Sequence, residues 1–176
     1  MRTLYLARHG DAVGDLTAAG RQQATLLGER LAAVPLTGVF HSPVARAAQT
    51  ASIVAALVGV PATETELLDD YPPTDHPVPG YSTEARAAGP ALAARALAEF
   101  GTVEDRQDLL ITHSQIVGWF ARAALGAPED RWVGLNAVNT GLTVIQFRED
   151  RVSLLTFNDQ SHLPPELRWT GFPSAF

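Results

Sequence analysis

Residues 4–34, LYLARHGDAVGDLTAAGRQQATLLGERLAAV, read as a strand, a loop and a helix in succession. Leu4, Leu6 and Ala7 form a short apolar run that stops at Arg8, whereas Ala24, Leu27, Leu31 and Val34 recur at the three- and four-residue spacing of a helix's inner face. Thr17 is placed to cap that helix, its hydroxyl accepting from a first-turn N–H that has no carbonyl partner. The same unit recurs downstream. Gly38 to His41 reads as a buried strand, and Ser42-Pro43 as a capped helix start with proline at the first position. Ala47, Ala51, Val54, Ala55 and Val58 form the inner face of that second helix. A strand over 62–67 gives way at 69–77 to a stretch with Pro72, Pro73 and Pro77, too rich in proline for a regular element. A helix over 82–100, a strand over 108–112 and a helix over 115–125 follow, then two strands, 142–147 and 152–157, around a turn at Glu149-Asp150.

Strands alternating with helices imply an α/β fold, a largely parallel sheet with helices on both faces, because each parallel crossover is long enough to hold a helix. The 176 residues suffice for one domain with a real core, so 1–176 is read as a single domain. At 46% hydrophobic and 18% charged residues the composition is that of a globular chain. A net charge of −6 with no Lys/Arg-rich run argues against nucleic acid or an anionic membrane as partner, since both need a concentrated positive field. All 13 basic residues are arginine. Without cysteine there is neither a thiolate nucleophile nor a disulfide framework. The N-terminus lacks the apolar stretch of a signal peptide and no run approaches a membrane span, which sets the expectation of a cytoplasmic protein.

In parallel α/β sheets ligands bind outside the carboxyl ends of the strands. Three of those ends carry Arg8-His9-Gly10, His41-Ser42-Pro43 with Arg46 one turn into the helix, and Thr112-His113-Ser114. His9 and His113 therefore converge with Arg8 and Arg46 on one rim. Guanidiniums near helix N-termini suit a phosphate, to which they donate paired hydrogen bonds while the helix dipoles add positive charge. A neutral imidazole there can attack phosphorus, and a second, protonated one can stabilise the transferring group. No metal or cofactor is required.

Arg8-His9-Gly10 after the first strand resembles the signature of the histidine phosphatase, phosphoglycerate-mutase-like superfamily. The stretch from Ser42 to Ala51 is similar to the family's second motif and Thr112-His113-Ser114 to its third; Leu16 to Gly20 and Phe157 to Leu163 also look like family segments. The resemblance runs from Arg8 to Leu163 and implies a three-layer α/β/α sandwich. It makes His9 the nucleophile, with Arg8, Arg46 and His113 as the rest of the phosphate pocket. The family's proton donor lies in the loop after the third strand, where this chain offers Glu66, Asp69, Asp70 and Asp75; alignment on Leu67-Leu68 favours Asp70. The mutase-like Asn after the glycine is absent, Asp11, Gly14 and Asp15 standing there, and Ser114 replaces a common glycine. Asp11-Ala12 and the short chain look more like the compact phosphatase branch than the mutases.

The implied activity is hydrolysis of phosphate monoesters of a small metabolite or a phosphoprotein. A phosphohistidine protein phosphatase is the alternative enzyme, and a non-catalytic phosphometabolite-binding protein the alternative of another class. Among the other histidines, His41 is expected mainly to cap or satisfy backbone, His76 to be solvent-exposed and His162 to make a structural hydrogen bond. A metal site of His9, Asp11 and His113 is disfavoured by the arginines beside both histidines.

Overall fold

The computed structural model describes residues 1–76 and 78–168. Strands β1 (Arg2–Arg8), β4 (Gly38–His41), β5 (Ala62–Glu64), β6 (Arg106–Thr112), β7 (Leu142–Phe147) and β8 (Val152–Asp159) form one sheet in the order β5-β4-β6-β1-β7-β8. The first four are parallel, while β7 and β8 run antiparallel at one edge. A two-strand hairpin, β2 (Ala12–Val13) and β3 (Asp15–Leu16), lies outside this sheet. It turns at Gly14, whose φ of 77° is left-handed and free of Cβ strain only for glycine.

Alternation along the strands divides the core. Leu4, Leu6, Leu110 and Ile145 pack on one face against Ala93, Ala96 and Phe100 of α3 (Thr83–Phe100) and Ile116, Val117 and Phe120 of α4 (Ser114–Ala124). Ala7, Val39, Leu109 and Ile111 point the other way, onto Leu27 and Leu31 of α1 (Ala18–Leu31) and Ala47, Ala51 and Val54 of α2 (Ala45–Val58). Successive side chains of a strand face opposite sides, so one short apolar run feeds both layers. The expected α/β/α sandwich with a largely parallel sheet is the observed architecture.

Thr17 caps α1 as expected, accepting from the Gly20 N–H at 3.0 Å. Ser82 caps α3 in the same way at 3.2 Å, and this helix runs through Pro90 without breaking. Three expectations are corrected. Ser42-Pro43 does not start α2, which begins at Ala45 after Val44 with no side-chain cap; Ser42 bonds the Val44 N–H and is otherwise engaged at the rim described below. The strand expected over 62–67 stops at Glu64, because Thr65 turns the chain and its hydroxyl accepts from Leu67 N–H to open a 3-10 turn, Glu66–Leu68. The loop after His9 contains the β2–β3 hairpin. The proline-rich loop is irregular as read, with Pro77 outside the described residues.

Candidate active site

Strand register brings the rim together. Arg8 pairs with Thr112 and His41 with Ile111, so the next residues, His9, His113 and Ser42, leave three adjacent strands side by side. His9 N–H donates to the Thr112 carbonyl at 2.9 Å, and the His9 and His113 ring centroids lie 5.2 Å apart. Behind His9 the chain is held on both sides. Gly10 N–H donates to Thr50 Oγ1 at 3.0 Å, and Asn139 Nδ2 donates to the His9 carbonyl at 2.8 Å. A Cβ on Gly20 would come within 2.0 Å of the Asp11 carbonyl oxygen, so glycine there lets the start of α1 press against this loop.

The arginine fixes both imidazole tautomers. Arg46 Nε lies 2.9 Å from His9 Nε2, and a guanidinium only donates, so Nε2 is the unprotonated nitrogen. His9 Nδ1 then carries the proton and donates to the Gly10 carbonyl at 2.8 Å. Arg46 Nη2 likewise donates to His113 Nδ1 at 3.3 Å, which leaves His113 Nε2–H to donate to Ser42 Oγ at 2.9 Å. The same Nη2 donates to Asp70 Oδ2 at 2.5 Å, and Tyr81 O–H donates to Asp70 Oδ1 at 2.8 Å. Arg8 completes the cluster, with Nη1 donating to the Ala137 carbonyl at 3.2 Å.

Burial, then His113, then Arg8 and Arg46, pull the His9 imidazole down to about 3, against an opposing bond to Gly10. Burial followed by Arg46 and Arg8 brings His113 to about 3 as well. Both rings are therefore neutral, so His113 is not the imidazolium expected from the sequence. This has a consequence for stability. Above pH 6.5 both rings are neutral folded and unfolded; as pH falls toward 3 the unfolded chain takes up protons that the native pocket excludes. Native stability should thus decline across that window, by up to about 1.4 kcal/mol per pH unit for each ring. Urea unfolding of wild type and His113→Asn at several pH values checks this: the variant's stability should depend less steeply on pH, and identical slopes would contradict it.

All five rim residues, Arg8, His9, Arg46, Asp70 and His113, line one cavity of about 980 Å³. Of the alternative acids, Glu66 is exposed and pairs with Arg95 at 3.1 Å, Asp69 Oδ1 accepts from the Asp70 N–H, and Asp75 is exposed; none lines the cavity. His41 bonds the Ser42 carbonyl at 2.8 Å away from the cavity, His76 is exposed, and His162 approaches Thr140 Oγ1 at 3.4 Å. Asp11 turns to the Thr17 hydroxyl at 2.7 Å, and among the described residues no three His, Cys, Asp or Glu side chains group to hold a metal ion. Nor is any described helix long and apolar enough to cross a membrane.

Sequence reasoning did not find Tyr81, Asn139, Thr50 or the contact of Ser42 with His113. Thr50 was within reach, since it follows Arg46 by four residues and so shares its helix face; its hydroxyl donates to the Arg46 carbonyl at 2.7 Å. Tyr81 and Asn139 arrive from loops whose course no periodicity marks.

Residues 4–73 and 73–160 match the model of the histidine phosphatase superfamily (branch 1). The chain is 32% identical over 186 residues to the mitochondrial serine/threonine-protein phosphatase Pgam5 of Caenorhabditis elegans, covering 93% of this chain and 65% of that protein. To the corresponding Mus musculus protein it is 30% identical over 187 residues, covering 94% and 65%. The chain thus spans about 65% of the length of these relatives. Among solved structures, Bacillus stearothermophilus YhfR superposes with a TM-score of 0.75 at 24% identity, over 92% of this chain and 99% of that one. Phosphoserine phosphatase of Entamoeba histolytica, in complex with 3-phosphoglyceric acid, gives 0.75 at 21% identity, over 93% and 100%.

Proposed function

Because the chain belongs to the histidine phosphatase superfamily, we propose that its rim is the active site of a metal-independent phosphatase that hydrolyses phosphate monoesters through a phosphohistidine on His9. The observation that carries this reading is the tautomer of His9: a buried, neutral ring whose Nδ1–H is tied to the Gly10 carbonyl and whose Nε2 lone pair faces Arg46. Such a nitrogen is a nucleophile held in position by the backbone, with no base needed to deprotonate it.

One guanidinium, that of Arg46, bonds both the nucleophile and Asp70. A phosphoryl dianion competes for Arg46 and frees His9 Nε2 and the Asp70 carboxyl together. Arg8 and Arg46 then hold the non-bridging oxygens and offset charge in the transition state, and His113, released by Arg46, donates to a third oxygen from Nδ1–H while Ser42 O–H donates to its Nε2. Nε2 bonds to phosphorus as the ester P–O bond breaks, and Asp70, having taken up a proton from solvent on its release from Arg46, gives it to the leaving oxygen. In the second step water attacks phosphorus, Asp70 takes back a proton, and the N–P bond breaks to release inorganic phosphate and restore neutral His9. Tyr81, bonded to Asp70 Oδ1, fixes the direction in which the carboxyl points.

A phosphoprotein substrate is the second reading, favoured by relatives named serine/threonine-protein phosphatases that match 93% of the chain. Both readings give the protein itself all the positive charge the reaction uses. Excess EDTA should accordingly leave hydrolysis of p-nitrophenyl phosphate unchanged. Loss of activity on chelation, restored by Zn or Mn, would replace His9 attack with a metal-activated water.

A further inference from the structure

The cavity of about 980 Å³ lies at the upper end of the roughly 300–1,000 Å³ in which small-molecule pockets bury their ligands, far more than a phosphoryl group fills. What lines the remainder is uniform in one respect. Among the described residues, Arg8 and Arg46 are its guanidiniums and Asp70 its carboxylate, all at the phosphoryl end. Beyond them the wall is apolar at Trp132, Val133, Leu135, Val138 and Phe157, and its polar groups are uncharged: Ser114 and the carboxamides of Gln115, Asn136, Asn158 and Gln160. Arg131, beside Trp132 in sequence, is exposed and does not line it.

Charge at the phosphoryl end is already matched. With Asp70 holding the proton it gives to the leaving oxygen, the two guanidiniums of Arg8 and Arg46 face the two negative charges of a phosphoryl dianion. A second anion on the leaving group would be desolvated against the apolar wall without a counter-charge, in a chain of net charge −6. A neutral leaving group loses nothing there and gains burial of its apolar surface, and carboxamides can hydrogen-bond its polar atoms.

We infer that the substrate's leaving group is uncharged and partly apolar, so that the pocket selects phosphate monoesters of neutral aryl or alkyl alcohols against esters bearing a carboxylate or second phosphate. The inference rests on the phosphatase reading above for the direction in which the ester lies.

Matched esters test it. The full-length protein is assayed with 4-carbamoylphenyl and 4-carboxyphenyl phosphate, which have nearly the same shape and differ in charge. The kcat/KM ratio should favour the carbamoyl ester by at least about tenfold. O-phosphoserine against its N-acetyl N′-methylamide should show the same sign, and whichever neutral ester has the larger kcat/KM separates a peptide-like from an aryl source. Val133→Arg, which adds a cation to a partly exposed position of the wall, should narrow both ratios. Calorimetric titration of the aryl pair into the His9→Ala protein reads the discrimination without turnover. A preference in binding with no turnover by wild type would remove the phosphatase reading and leave the wall's selectivity standing. Equal or reversed ratios in both measurements overturn the inference, and ratios unmoved by Val133→Arg overturn its assignment to this wall.

Discussion

His9→Ala is expected to abolish phosphate release, lowering kcat by at least about three orders of magnitude, because the variant keeps the anion pocket and loses the atom that bonds to phosphorus. The side chain's fold-related contact is one hydrogen bond from Nδ1 to the Gly10 carbonyl, whereas the backbone bonds of residue 9 to Thr112 and Asn139 do not involve it. The variant should therefore fold, and the anion site should remain. Arg46, no longer bonded to Nε2, should bind phosphate at least as well as in wild type, which calorimetry with inorganic phosphate checks. Substantial activity in a folded His9→Ala protein would mean that water attacks the ester directly or that His113 substitutes.

Asp70→Asn should separate substrates by leaving group. A general acid contributes about 10²–10⁴-fold where the departing oxygen needs a proton, so hydrolysis of an alkyl phosphate should fall by that factor. p-Nitrophenyl phosphate, whose phenolate leaves unaided, should be nearly unaffected in kcat. The structure adds a second expectation. Asp70 pairs with Arg46 at 2.5 Å, so removing its charge leaves the guanidinium to the substrate alone, and KM for p-nitrophenyl phosphate should fall. Equal slowing of both substrates would make Asp70 a positioning residue for Arg46 and Tyr81. No slowing of either would mean that Asp70 is not the acid and that the site lacks one, which suits a phosphohistidine protein, whose imidazole leaving group demands less help.

The parts of this site that were legible in the sequence are those fixed by strand ends. Arg8, His9 and His113 lie at or just after the ends of apolar runs whose length limits where each strand can stop, and Arg46 lies in the first turn of the helix that follows such an end. Parallel pairing then puts them on the same edge whatever the sheet order. The acid was narrowed to a loop and to Asp70 by resemblance alone. Its contacts to Arg46 and Tyr81 depend on the course of the 69–81 segment, where prolines erase periodicity and side-chain hydrogen bonds decide the path. Ser42 was misread for a related reason: Ser-Pro is a common helix start, but here the hydroxyl meets His113 Nε2 across two strands, a contact between residues 71 apart in sequence. The protonation of His113 was likewise invisible, since it follows from burial and two nearby guanidiniums rather than from residue type.

The central claim is that the phosphoryl group rests on His9 between two chemical steps. Rapid mixing of the protein with excess p-nitrophenyl phosphate, quenched in alkaline denaturant where the N–P bond survives, and mass spectrometry of the peptide containing His9 tests this directly. The account predicts a burst of p-nitrophenol matched by one phosphoryl group per active site on His9, decaying to inorganic phosphate when substrate runs out, and absent from His9→Ala. A burst of p-nitrophenol with the phosphoryl group found on another residue, or turnover traced through a single-turnover time course with His9 unmodified throughout, would contradict it.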